Sequence, residues 1–138
     1  MINNKVSIDH VNAMNKNTMM AHLGIEYTEI AESYLIAKMP VDKRTHQPMG
    51  LLHGGASAAL IESLGSLGSA LCVDLAKQQI VGVEVNANHI RSERTGYVYG
   101  KANLIHEGRT THIWQVDITN ENNKLVSTGR LTVLVKNI

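Results

Sequence analysis

Between His53 and Val73 the sequence holds one Asp, Glu, Lys or Arg, and it is Glu62. A solvated helix face normally collects Lys and Glu with i, i+4 partners. Glu62 has none, so the spacing predicts an acid in a partly buried cleft. Desolvation raises a carboxyl pKa and suits the group to base or nucleophile work near neutral pH. The plainer alternative is a lone acid at a wet gap in helix packing. Upstream, His53-Gly54-Gly55 marks a loop turning into a helix. Its glycines leave backbone N–H groups unblocked at the positive end of the helix dipole, a natural site for a carbonyl oxygen gaining charge. Taken alone, the triplet is equally a helix start that needs flexible glycines. Gln47, in Thr45-His46-Gln47-Pro48, donates a hydrogen bond without acid–base chemistry; it either orients a carbonyl or is an exposed loop side chain.

Two polar stretches carry cations. His89-Ile90-Arg91-Ser92, followed by Glu93-Arg94, closes one extended run, and His106-Glu107-Gly108-Arg109-Thr110-Thr111 forms a turn. Phosphate is the ligand type that suits both, and a strand meander would bring them near one another. Each alone is equally a solvated turn. The seven histidines show no paired i, i+4 spacing on a helix, and His106 and His112 are separated by a turn, so no metal site is expected.

The chain has 138 residues, which is expected to form one domain over residues 1–138. Thirteen Lys and Arg against twelve Asp and Glu leave a formal charge of +1, which removes the bulk positive charge that grips nucleic acid or anionic lipid. The charged fraction is 18%, below the roughly 25% usual for soluble domains, and points to surface buried between copies of the chain. A single cysteine, Cys72, fits a reducing compartment, so a cytoplasmic location is expected. No secretory signal opens the chain, and no apolar run of about 18 residues occurs, so no membrane insertion is expected.

These residues need elements to hold them. Ser7-Ile8-Asp9 with Val11 and Met14 predicts a short capped N-terminal helix. Runs at 24–30 and 33–39 predict a hairpin ended by Pro40. Over 53–73 the period is helical: Leu60, Leu64, Leu67 and Leu71 share one stripe, predicted to be core, and Ala58, Glu62, Ser66 and Ser69 share the opposite face. Gly65 and Gly68 each cost about 1 kcal/mol against Ala in a helix, and close approach of another backbone is the expected reason for them. Beyond Gln79 the period is two, predicting strands at 80–90, 96–106, 110–119 and 125–135, the last three as an antiparallel meander. The sum is an α+β arrangement of about six strands around one long helix.

Gln47-Pro48-Met49-Gly50-Leu51-Leu52-His53-Gly54-Gly55-Ala56-Ser57, with Glu62-Ser63 downstream, resembles the hotdog-fold acyl-CoA thioesterases. Within them the chain is most similar to the bacterial dihydroxynaphthoyl-CoA hydrolases of menaquinone synthesis and the proofreading thioesterases of enterobactin synthesis. The similarity begins at Met39-Pro40-Val41-Asp42, continues through 81–92 and resumes at Trp114-Gln115-Val116-Asp117-Ile118.

The resemblance implies an antiparallel sheet wrapped around the central helix, paired across a dimer and doubled to a homotetramer, with active sites between subunits. It implies that Glu62 attacks the thioester carbonyl or activates water. Gln47 and His53 of a neighbouring subunit would position the reacting group, the Gly54 N–H would polarise the carbonyl, and Ser66 would help place the water or the acid. Coenzyme A would lie along Gly82, His89 to Ser92 and His106 to Thr111. The implied substrate is an aromatic acyl-CoA, with acyl carrier protein thioesters left open, and no cofactor is implied. His46, Ala58, Ala59 and Ile61 stand where close relatives vary, which makes them candidates for contact with the acyl group. A hydratase or dehydratase of this fold would pair His53 with Glu62 on a hydroxyacyl chain, but Gln47 and Gly54 fit thioester polarisation better. A non-catalytic acyl-CoA sensor fused to a DNA-binding unit would need more than the roughly twenty residues that precede the first strand.

Overall fold

A computed structural model describes residues 1–138. In chain order the elements are α1 (Ile8–Ala13), α2 (Met19–Leu23), β1 (Glu26–Ile30), β2 (Tyr34–Pro40), α3 (Gly54–Cys72), β3 (Gln78–His89), β4 (Tyr97–Glu107), β5 (Thr111–Asn120) and β6 (Leu125–Asn137). The six strands form one sheet in the order β1-β2-β4-β5-β6-β3, every neighbouring pair antiparallel. Helix α3 packs against β2, β3, β4, β5 and β6. This is the sheet-around-helix arrangement expected, with the 4-5-6 meander in place. Helix α2 was not expected; Gly24, at φ 72°, ends it in the left-handed conformation, which a side chain resists.

The buried face of α3 differs from the leucine stripe. Leu60 and Leu64 are fully buried, but Leu67 and Leu71 are only partly so, while Ile61, Gly65, Gly68 and Ser69 lie inside. The helix is thus rotated toward its glycines, and Ser69, expected on the small open face, is in the core. The reason is Trp114. Its indole is fully buried, and a Cβ added at Gly68 would lie 2.6 Å from Trp114 Cζ2 and 2.9 Å from Leu35 Cδ1. One at Gly65 would lie 2.5 Å from Leu131 Cδ2. The glycines therefore admit large side chains from the sheet, not another backbone as expected.

The indole also requires a polar partner in the core. Trp114 Nε1 donates to Ser69 Oγ at 2.8 Å, and His112 Nδ1 lies 3.1 Å from the same oxygen. With the indole as donor, the serine proton is free for His112 Nδ1, an arrangement that needs a neutral imidazole. Burial lowers the His112 pKa from its ordinary value of 6.5.

Strand β3 is an edge strand of 12 residues without one buried member. Val81, Val83 and Val85 are 42%, 56% and 38% exposed. A long apolar edge with unpaired backbone groups is a surface that folded proteins cover. The strand carries a bulge: Gly82 pairs with Val133 and Glu84 with Thr132, leaving Val83 extra. Beyond it the alternation of faces shifts by one residue.

Two outcomes follow. Gly68→Ala should lower stability by about 2 kcal/mol in denaturant titration, because overpacking against Trp114 outweighs the helix propensity of Ala. Because the unfolded chain takes up a proton at His112 before the folded one, stability should be complete above about pH 6.5 and decline below it. His112→Asn should flatten that decline when unfolding free energy is measured between neutral and acid pH.

Candidate active site

The 41–52 loop that carries Gln47 is tied at several points. The Asp42 carboxylate accepts from the Arg44 N–H at 2.9 Å and from Arg44 Nη2 at 2.6 Å, and the Arg44 guanidinium holds the Asp42 carboxyl down at about 2. Buried Thr45 Oγ1 donates to Pro40 O at 2.7 Å. The His53 N–H donates to Thr45 O at 2.8 Å, and Leu52 N–H to Glu93 O at 2.8 Å. Within this frame Gln47 Oε1 accepts from the Met49 N–H. Its NH2 makes no hydrogen bond within the chain.

His53 is the N-cap of α3, its Nδ1 accepting from the Gly55 N–H at 2.7 Å. Gly54 is the first helical residue, so its N–H has no intrahelical acceptor. Gln47, Gly54, Ser57, His89, Arg91 and Ser92 line one cleft of about 250 Å³. The His89 ring covers Gly54, where a Cβ would lie 2.5 Å from Nε2. His53 instead lines a second cleft, with His46, Ala59 and Met19.

Glu62 is half-buried on a third cleft of about 350 Å³, with Tyr27, Ser63, Ser66 and Leu67. Ser66 Oγ donates to Glu62 Oε1 at 3.3 Å. Beneath it lies Gly82 of β3, where an added Cβ would run into Glu62 Oε1. Gly82, expected along coenzyme A, thus makes room for the carboxylate of its own chain. From Gly54 to Glu62 the helix rises about 12 Å, so within one chain the acid and the oxyanion donor do not converge on one carbonyl.

Two expectations are corrected. Strands β3 and β5 run the same way, each antiparallel to the β6 between them. Thr111 pairs with Leu134, which pairs with Val81, whereas His89 pairs with Ser127. The 106–111 turn therefore lies about 26 Å from His89 along the sheet, so the two cationic stretches are at opposite ends of one chain. Ile61 is fully buried and cannot touch an acyl group.

At the far end, Arg109 borders a cleft with Cys72, Gln78, Gly108 and His112. Glu107 there accepts from the Met1 ammonium at 2.6 and 2.7 Å, and burial pushes the Cys72 thiol up to about 11. No three His, Cys, Asp or Glu side chains are grouped to hold a metal ion, and no helix is long and apolar enough to cross a membrane. Tyr27, Met14 and Met20 on the Glu62 cleft carried no sequence signal of a site; an apolar residue in a short amphipathic segment reads as core.

A sheet wrapped around one helix, with a lone acid on that helix and a free N–H at Gly54 at its start, is the arrangement of a hotdog-type thioester hydrolase. The chain belongs to the thioesterase superfamily, whose family model matches residues 49–127. The 1,4-dihydroxy-2-naphthoyl-CoA hydrolase of Escherichia coli is 44% identical over 131 residues, 95% of this chain and 96% of that protein. A crystal structure of a mutant thioesterase from Pseudomonas aeruginosa is 45% identical and superposes with a TM-score of 0.96 over 99% of each chain. A thioesterase of Haemophilus influenzae is 43% identical, with a TM-score of 0.94 over 99% of this chain and 94% of that one. The protein is a thioester hydrolase.

Gly82→Ala should push the Glu62 carboxylate aside and reduce acyl-CoA hydrolysis by roughly tenfold or more, a loss typical of sub-ångström to 1 Å misplacement. Thiol release measured beside a melting curve checks this, since the fold should survive.

Proposed function

We propose that the protein is a cytoplasmic, single-domain, homotetrameric hydrolase that cleaves an aromatic acyl-CoA to the free acid and CoA, with 1,4-dihydroxy-2-naphthoyl-CoA the leading substrate. The observation that carries the reading is Glu62 held over Gly82, bonded to Ser66, on the edge strand β3. The 44% identity to the E. coli hydrolase supports the acyl group.

Strand β3 supplies the ruler for assembling the site. Gly82 lies against Glu62 and His89 against Gly54. Because of the bulge at Val83, both face the helix. A two-fold axis between them, near Val85 and Asn86, pairs β3 with a second copy of itself. Glu62 of one chain then stands level with His89 and Gly54 of the other, about one strand spacing away. The pairing also satisfies the unpaired backbone groups along the β3 edge. In the completed site the Gly54 N–H and the Gln47 amide polarise the carbonyl, and the second copy's Glu62 either attacks it, forming an acyl–Glu62 anhydride that water then hydrolyses, or takes a proton from a water molecule that attacks it. His53, on the neighbouring cleft, positions the reacting group through the capped helix start that presents Gly54, and the C–S bond breaks as the CoA thiolate departs. Arg91 and Ser92, beside the oxyanion donor, hold the pantetheine or phosphate portion. His106 to Thr111, remote in one chain, reach CoA only as part of another subunit.

Glu62→Ala should cut turnover by several orders of magnitude with assembly intact, as judged by thiol release and size-exclusion chromatography; near-normal hydrolysis would overturn the mechanism. Glu62→Ala and Gln47→Ala, each inactive alone, should regain about a quarter of wild-type activity when refolded together, because half of random dimers are mixed and each mixed dimer rebuilds one whole site. No recovery would place both groups in one chain.

A further inference from the structure

The cleft at Glu62 has two unlike walls. One is the middle of α3, with Glu62, Ser63, Ser66, Leu67 and Ala70; the other comes from the N-terminal segment, with Val11, Met14, Asn15, Met20 and Tyr27. That second wall is pinned to the first close to the acid. Asn12 Nδ2 donates to Tyr27 O at 2.9 Å, Tyr27 N–H donates to Asn12 Oδ1 at 2.8 Å, and Tyr27 Oη donates to Ser63 O, next to Glu62, at 2.9 Å. Tyr27 is buried and α1 is anchored through buried Val11, so the wall has a fixed base. Its lip is adaptable. Met14 is 58% exposed, and Met20 is partly buried against the core.

Two features of this wall select an occupant. Methionine is unbranched and polarisable, conforms to a ring inserted beside it and makes favourable sulfur–aromatic contacts. The chain has no Phe, so an aromatic ring in the cleft would meet thioethers and Tyr27. The other feature is Asn15 Nδ2, buried and without an acceptor, the one side-chain nitrogen or oxygen of the fold in that condition. A buried unpaired donor costs about 1–3 kcal/mol; Asn15 borders both the Glu62 cleft and the cleft with Asn12, Lys16 and Arg44, and a turn of its amide toward Glu62 would let it donate to an oxygen on a ring bound there. We propose that the segment from Val11 to Tyr27 is the acyl-selecting wall of the site, with Met14 and Met20 gripping an aromatic ring and Asn15 donating to an oxygen carried on it. This rests on the reading of Glu62 as the catalytic carboxylate.

The test is kcat/KM by thiol release for benzoyl-CoA, hydroxybenzoyl-CoA and hexanoyl-CoA, on wild type, Met14→Ala, Met14→Ala with Met20→Ala, and Asn15→Leu, with Glu62→Gln as control and melting curves for each. Methionine removal should lower the benzoyl-to-hexanoyl ratio by about tenfold or more, and Asn15→Leu should lower the hydroxybenzoyl-to-benzoyl ratio by a similar factor. Met14 is exposed, so its single variant keeps the test valid if the double variant melts. Ratios within about twofold of wild type in folded variants overturn the proposal while Glu62→Gln is inactive. A fully active Glu62→Gln overturns the underlying reading instead.

Discussion

The contact between the Trp114 indole and the glycine face of α3 sets the depth of the helix in the sheet, and the rest of the structure depends on it. Without side chains at Gly65 and Gly68 the helix settles onto Trp114, Leu131 and Leu35. Ser69 turns inward to accept from the indole. Rotation of the helix about that seat leaves Leu67 and Leu71 only partly covered and carries Glu62 over β3. A helix packed at an ordinary distance, with alanines in place of the glycines, would hold the carboxylate farther from the strand. The site is thus a product of core packing, and the glycines that weaken the helix locally are what bring its acid to the sheet.

Periodicity was enough to find nearly every element. The period-two runs beyond Gln79 became β3 to β6 with ends shifted by at most two residues, because alternation over ten or more residues has few other solutions. Helix α2 escaped because five residues cannot show a helical period; only Gly24 after Leu23 marked its end. The leucine stripe located α3 but misjudged its buried face. Hydrophobicity registers large side chains, whereas here the core is filled from the sheet into places where the helix has none.

The candidate site was legible in its parts and not in its arrangement. Glu62, Gln47 and Gly54 were marked by what surrounds them in sequence: an absence of other charges, a polar loop, a helix start. That His106–Thr111 lies far from His89–Ser92 follows from β3 and β5 running the same way, which depends on where β3 inserts in the sheet order. Sequence spacing does not encode that insertion, since β3 precedes β4 in the chain yet sits at the opposite side of β6. The N-terminal wall was legible as a short capped helix but not as part of the Glu62 cleft.

The bulge at Val83 has a significance for how such a strand can evolve. It acts as a phase reset: the segment before it, holding Gly82, and the segment after it, holding His89, are each in step with β6 but out of step with one another. Odd separation along the chain is thereby reconciled with a common face. Two glycine-lined seats, one beneath the carboxylate and one formed by Gly54 beneath the imidazole, can occupy the same side of a strand at a distance that a regular pleat would forbid. One unpaired residue sets the spacing between them, and the ladder on either side stays regular.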